Sequence, residues 1–380
     1  MRLIDGFRDG RKARGVAQAI SRLAGQRPLK GRRLQLMEVC GSHTVAIFKS
    51  GIRDLLPENV RLISGPGCPV CVTPVADIDR AGAIARLPDV VLTTFGDMMR
   101  VPGSRSSLDE ERAGGADIRV VYSTLEALEL ARKHTDRRVV FFGAGFETTA
   151  PTVAAAAIQA EAESLQNFFV YSVHKTIPQA MRALLDTPQL HLDGFICPGH
   201  VSALIGSSAY RFVAGEYGRP SVVSGFEPLD ILMSIYLILK QLAEGRSEVE
   251  IEYSRVVTPE GNTQAMEILG QVFEEADSHW RGIGVIPGSG LNLRERFAHR
   301  DALRVFNPPV RQSRENPACE CGDILRGLKS PAECRLFATA CTPERPIGAC
   351  MVSSEGSCAA NYKYSREDRL MELPEGRAGG

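Results

Sequence analysis

The sequence predicts an α/β protein with two parallel-sheet α/β domains facing a cleft, then a smaller C-terminal α+β domain. Three observations predict it. Apolar runs of a few residues recur without polar alternation, which suits strands buried on both faces. Each run leads into a glycine- or proline-rich loop and then a helical pattern, so strands and crossover helices alternate. After about residue 250 this rhythm stops, and six cysteines crowd residues 319–358.

The first 33 residues carry ten basic side chains against only Asp5 and Asp9. They read as a solvated amphipathic helix over 7–23 rather than as a basic arm. Strand-like runs follow at 34–39, 60–63, 90–94, 139–142, 168–173, 195–196 and 221–223. Helical patterns occupy 124–134 and 153–165. In sequence order the strands fall into two groups, 34–122 and 138–224, which gives α/β domains at 1–125 and 126–250 and a third domain at 251–380. In the third, 248–257 alternates like a strand, 263–276 reads as a helix, and the glycines between 282 and 290 mark a loop-rich passage. Loops after strand C-termini line the ligand crevice of parallel sheets, so the motifs at those positions should converge on one cleft.

A chain of 380 residues exceeds what a single core usually holds. Lys plus Arg and Asp plus Glu both number 45. That balance favours neither nucleic acid nor an anionic membrane as partner. The longest apolar run, 231–239, is too short for a bilayer, and the N-terminal segment lacks the apolar stretch of a secretory signal. The expectation is a soluble cytoplasmic protein, monomeric by itself. In a reducing compartment ten cysteines point to metal binding or redox chemistry rather than structural disulfides.

Six of them form the C-terminal set. Cys319 and Cys321 are one residue apart; Cys334, Cys341, Cys350 and Cys358 follow with gaps of six, eight and seven. No pair has the two-residue knuckle of structural zinc sites, and no histidine follows His299. A four-thiolate iron–sulfur cluster fits better than zinc or unligated thiols. Cys334, Cys341, Cys350 and Cys358 are the expected ligands, with Cys319 and Cys321 in reserve.

The second set lies on the strand-end loops. In Gly65-Pro66-Gly67-Cys68-Pro69-Val70-Cys71 the two-residue gap lets both sulfurs meet one metal or form one disulfide, and a helix starting near Cys68 would stabilise a thiolate there. A buried structural pair is the alternative. Cys40-Gly41-Ser42-His43 ends an apolar run; Cys40 adds a third sulfur, and His43 could tune it or ligate. Cys197-Pro198-Gly199-His200 occupies the matching place in the second group. There His200 could relay protons or sit as a satisfied core histidine, while Cys197 reads as core. Gly143-Ala144-Gly145-Phe146-Glu147 lacks the third glycine and the lysine of nucleotide loops, so it reads as a turn bringing amides and Glu147 toward the cleft. Asp97 adds a polar group there or caps a helix.

Together these motifs resemble the HypD family of hydrogenase maturation factors. The resemblance rests on Cys40-Gly41-Ser42-His43-Thr44, Gly65-Pro66-Gly67-Cys68-Pro69-Val70-Cys71, Phe95-Gly96-Asp97-Met98, Gly145-Phe146-Glu147-Thr148-Thr149-Ala150-Pro151 and Cys197-Pro198-Gly199-His200-Val201-Ser202. Cys341-Thr342-Pro343 and the stretch from Cys350 through Ser353-Ser354-Glu355-Gly356 to Cys358 complete it, in family order over about residues 35–364. The basic N-terminal extension and the tail after Tyr364 fall outside. The resemblance implies a scaffold for the Fe(CN)2CO unit of nickel–iron hydrogenases. It would work with a HypC-type chaperone whose N-terminal cysteine shares the iron, and with a HypE-type cyanide donor. It further implies that Cys40 holds the iron, that Cys68 and Cys71 are a redox pair, and that a [4Fe-4S] cluster supplies electrons. Thiolates suit iron carrying cyanide and carbon monoxide, and a cluster with a dithiol can deliver one- and two-electron steps. The competing readings are an iron–sulfur dithiol reductase, for which Cys40 and His200 would be spectators, and a zinc-containing binding protein.

Overall fold

The computed structural model describes residues 5–308 and 312–365. Its strands are β1 (Leu34–Glu38), β2 (Val60–Ser64), β3 (Val90–Thr94), β4 (Ile118–Val120), β5 (Arg138–Gly143), β6 (Phe168–Ser172), β7 (Gly194–Pro198), β8 (Ser221–Ser224), β9 (Val249–Ile251), β10 (Phe273–Trp280) and β11 (Gly284–Leu293). Among the described residues they form two parallel sheets, in order β2-β1-β7-β8-β9 and β4-β3-β5-β6, and an antiparallel hairpin of β10 with β11. The mixed α/β architecture with parallel sheets is the one the apolar runs announce.

The strand grouping is not the one expected. The runs at 34–122 and 138–224 do not make two sheets in sequence order, and the cuts at 125/126 and 250/251 do not follow the sheets. The chain leaves the first sheet after β2, builds the whole second sheet from β3 to β6, and returns with β7, which pairs with β1 through Met37 opposite Phe195. Apolar run length fixes a strand but not its neighbour, so pairing between distant segments is invisible to pattern reading.

Three further expectations change. The helix predicted at 263–276 ends at Val272, where β10 begins. From Gly284 on, the glycine-rich passage is strand β11, not a loop. The strand at 248–257 shrinks to Val249–Ile251. Nor does the stretch after 263 stand apart: Phe273, Leu291, Leu293 and Phe297 share a core with Val139, Phe141, Phe168 and Val170 of the second sheet. The cysteine-bearing segment after 312 adds no named strand, but it too packs into a core shared with the sheets. The N-terminal helix is amphipathic as expected, Gly10–Ala24, burying Ala17, Ile20 and Ala24. The tail beyond Ser365 lies outside the described residues.

Each sheet is buried on both faces. Leu34, Leu36, Ile196 and Val222 pack under the N-terminal helix and helix Pro228–Glu244, while Met37, Ile63, Phe195 and Val223 face the other way. That second face joins Leu92, Val140 and Phe142 of the second sheet in one continuous core, which also takes in Cys321, Cys341, Cys350 and Cys358. In both sheets the strand order reverses once, between β1 and β7 and between β3 and β5. At such switch points the loops after the strands part and open a crevice. The four loops concerned carry Cys40, Cys197 to His200, Asp97 and Glu147.

Candidate functional site

Cys40 follows β1 directly and is the N-cap of helix Gly41–Lys49. The next loop lies against it: a Cβ on Gly67 would stand 2.1 Å from the Cys40 nitrogen, and Gly41 N–H donates to the Gly67 carbonyl at 2.9 Å. Only glycine allows that backbone approach, which explains the Gly-Pro-Gly ahead of Cys68. Cys68 caps helix Pro69–Val72 and accepts the Cys71 N–H at 3.3 Å, as a helix starting there requires. Cys68 and Cys71 are paired as a disulfide, with Cα atoms 5.3 Å apart. Both are buried, and the Cys71 sulfur lies 4.0 Å from the carbonyl of Ala349, next to Cys350.

Burial pushes the Cys40 thiol up to about 12, with its first-turn amides opposing the shift. His43 is fully buried. Its Nε2 is 2.9 Å from the Gly225 carbonyl, and burial lowers it to about 4, so its ring is neutral near pH 7. His43 and His200 stack on opposite sides of the sequence but on one ring: Phe226, at 4.7 and 4.0 Å between centroids. His200 is exposed at the rim, its proton affinity lowered by partial burial and supported by Glu355. Cys197 is core, fully buried at the end of β7.

The segment 350–358 closes over these loops. A Cβ on Gly41 would stand 2.4 Å from that of Glu355, and Ser42 Oγ donates to the Glu355 carboxylate at 2.6 Å. On the other side Ser353 Oγ donates to Asp97 at 3.2 Å. Asp97 thus joins the site through the C-terminal segment. Glu147 sits deeper. Its Oε1 accepts the Ile177 N–H at 2.9 Å at the start of a helix, its Oε2 has no partner, and burial raises it to about 7. The structure places it as a helix-start acceptor beneath the second switch point.

The C-terminal cysteines encircle one pocket. Cys319, Cys321, Cys334, Cys341 and Cys358 line it with Ile324, Leu336, Phe337 and Met351. Cys350, fully buried, reaches Cys321 and Cys358 from behind. Cys319 and Cys321, the reserve pair, therefore stand in the same ring as Cys334, Cys341 and Cys358. The hydrogen bond from Cys321 pulls the Cys319 thiol down to about 6. Among the described residues no three Cys, His, Asp or Glu side chains close on a point fit for one metal ion. Thiols around an apolar pocket are the donor set of an iron–sulfur cluster, not of a hard cation.

Sequence reasoning missed three participants. Phe226 follows the strand-like run at 221–223 but carries no chemical flag. Glu355 lies in a quoted motif, and its contact with Ser42 and its charge near His200 give it a role. Glu38 ends an apolar strand and is fully buried, raised to about 7 by that burial. A single carboxylate closing an apolar run was the one available signal.

A family model described as "HypD: Hydrogenase formation hypA family" matches residues 11–365. The match takes in the N-terminal helix, which the motif resemblance had left outside. The chain is 52% identical over 374 residues to the hydrogenase maturation factor HypD of Azotobacter vinelandii, covering 97% of this chain and 98% of the relative. It is 49% identical to HypD of Rhizobium leguminosarum bv. viciae over the full length of both. With HypD of Escherichia coli K12 the identity is 45%, covering 97% and 99%.

Proposed function

The chain belongs to the HypD family and serves hydrogenase maturation; we propose that it does so as the scaffold on which the Fe(CN)2CO unit is put together. Cys40 holds the iron cargo, together with a cysteine of a HypC-type chaperone, and a HypE-type protein delivers cyanide. The observation that carries this reading is the direct line of contact from Cys40 to the C-terminal cysteines. Gly67 joins Cys40 to the Cys68–Cys71 loop, and Cys71 meets Ala349 beside Cys350.

The roles follow from position. Cys40 is nearly enclosed and helix-capped, so its thiolate is released by metal rather than by bulk pH. Reducing Cys68–Cys71 takes two electrons and two protons, and the two thiols can return them in cyanide transfer. Cys334, Cys341, Cys350 and Cys358, with Cys319 and Cys321 in the same ring, would hold a [4Fe-4S] cluster, which supplies electrons singly. Neutral His43 keeps the Cys40 turn in place, and His200 stands at the rim where a proton can enter. The burial of Cys68 and Cys71 counts against a general reductase, whose dithiol must meet other proteins.

The test is Cys40→Ser, purified without oxygen together with a HypC-type chaperone. The wild-type complex should carry infrared bands of iron-bound cyanide and carbon monoxide, and the variant should lose them while keeping its visible cluster spectrum. Bands that survive in the variant would remove Cys40 from the iron.

A further inference from the structure

We propose that Glu38 is the positioning residue that sets Cys40 against the Cys68–Cys71 pair. Its carboxylate is fully buried, and among the described residues no ion pair compensates it. Such a group is costly inside a core unless its oxygens are used. Here they are. One oxygen accepts the Cys40 N–H at 3.1 Å and the other the Thr44 hydroxyl at 2.6 Å, both on the helix that follows β1. The Ser64 hydroxyl, at the end of β2 and leading into the Gly65–Cys71 loop, lies near enough to favour the charged carboxylate. The Glu38 carbonyl also accepts the Gly65 N–H at 2.8 Å.

One residue therefore ties two neighbouring strand ends, its carboxylate holding the Cys40 turn and its carbonyl holding Gly65 ahead of Cys68 and Cys71. A leucine would satisfy the apolar strand equally well. It would also leave the Cys40 amide buried without its acceptor, and the Thr44 hydroxyl with only the Cys40 carbonyl at 3.3 Å. A carboxylate here costs the fold something and returns a fixed spacing between one thiol and a dithiol, which exchange chemistry between them needs. The Arg53 guanidinium donates to Ser64 Oγ at 3.2 Å and steadies that hydroxyl from outside.

The inference rests on the roles given above to Cys40, Cys68 and Cys71. Its test uses the metal-free full chain and reads only thiol geometry, so it can fail while the iron-holding role stands, and the reverse. Glu38→Ala and Glu38→Gln are reduced, treated with iodoacetamide and mapped by peptide mass, with Cys197 as internal control because it is fully buried on the adjacent strand β7. Separately, diamide takes two electrons and two protons from pairs of thiols, and the disulfides formed are mapped.

Glu38→Ala should raise alkylation of Cys40 about tenfold through local opening, with Cys197 unchanged, and should divert part of the oxidised product into disulfides containing Cys40. Glu38→Gln should stay near wild type. Its carbonyl still accepts from Cys40 N–H, and the hydroxyls of Thr44 and Ser64 can turn to accept from its amide. Where Glu38→Ala does not fold, Thr44→Ala, which removes one of the same bonds, should give a smaller rise at Cys40 alone. Three results would overturn the proposal. They are an unchanged Cys40 rate in the alanine variant that folds, a glutamine variant that behaves like the alanine one, or Cys40 and Cys197 rising together.

Discussion

The two cysteine regions of this protein are built in opposite ways. Cys40, Cys68 and Cys71 sit at the ends of parallel strands, fixed by backbone contacts that only glycine permits and by helix starts. The ring from Cys319 to Cys358 has only short helical turns and one eight-residue helix, Ser357–Tyr364. The first region is made by the fold. The second, short of regular structure, would depend for its cohesion on the cluster proposed for its thiols.

Oxidative loss of the proposed cluster should break the comparison most sharply. Residues 312–365 should become far easier to cleave in limited proteolysis, by about a hundredfold, while the sheets keep their melting transition. Equal resistance with and without iron would mean that the ring folds unaided. Next, Gly67→Ala should cost about 3 kcal/mol in thermal melting, because its Cβ meets rigid backbone at Cys40. Gly348→Ala meets only the side-chain sulfurs of Cys319 and Cys321, so its effect should appear in iron and sulfide content and not in the melt.

Smaller still is the link between the regions. Ser42→Ala, which removes the bond to Glu355, should cost about 1 kcal/mol and speed cleavage within 350–358. The remaining effect is one of pH. Glu147 is raised from 4.5 to about 7 in the fold, so the native state holds its proton more tightly than the unfolded chain does. Its contribution is full below 4.5 and is lost as pH rises through 7. Glu147→Gln keeps the acceptor for Ile177 and does not titrate. Its melting advantage over wild type should grow with pH and level off above neutrality; a constant difference would sink this account.

What could be read from the sequence follows the range of the interaction. Apolar runs that end in Cys40, Cys68, Asp97, Glu147 and His200 are local patterns, and each loop sits at a strand end as expected. The pairing of β1 with β7 is not local, and no pattern in either run names the other. The hairpin over 273–293 was hidden because its glycines read as loop, although Gly290 packs closely on Ser278 across the pair. Glu38 was hidden for the opposite reason: it looks like one more strand residue, and its work is done with partners on two separate loops. The ring of cysteines could be counted but not assigned, since spacing gives no distances between residues joined by irregular chain.

The return of the chain to its first sheet at β7 bears on the order of synthesis. β1 and β2 leave the ribosome early, yet the neighbour that completes their sheet follows only after the entire second sheet. Pairings this distant in sequence close slowly. During that interval the thiols at 40, 68 and 71 belong to an unfinished sheet edge. The segment that covers them, from Ala349 to Glu355, is among the last to emerge. The newborn protein therefore meets the cell with these thiols open and their cover still unmade.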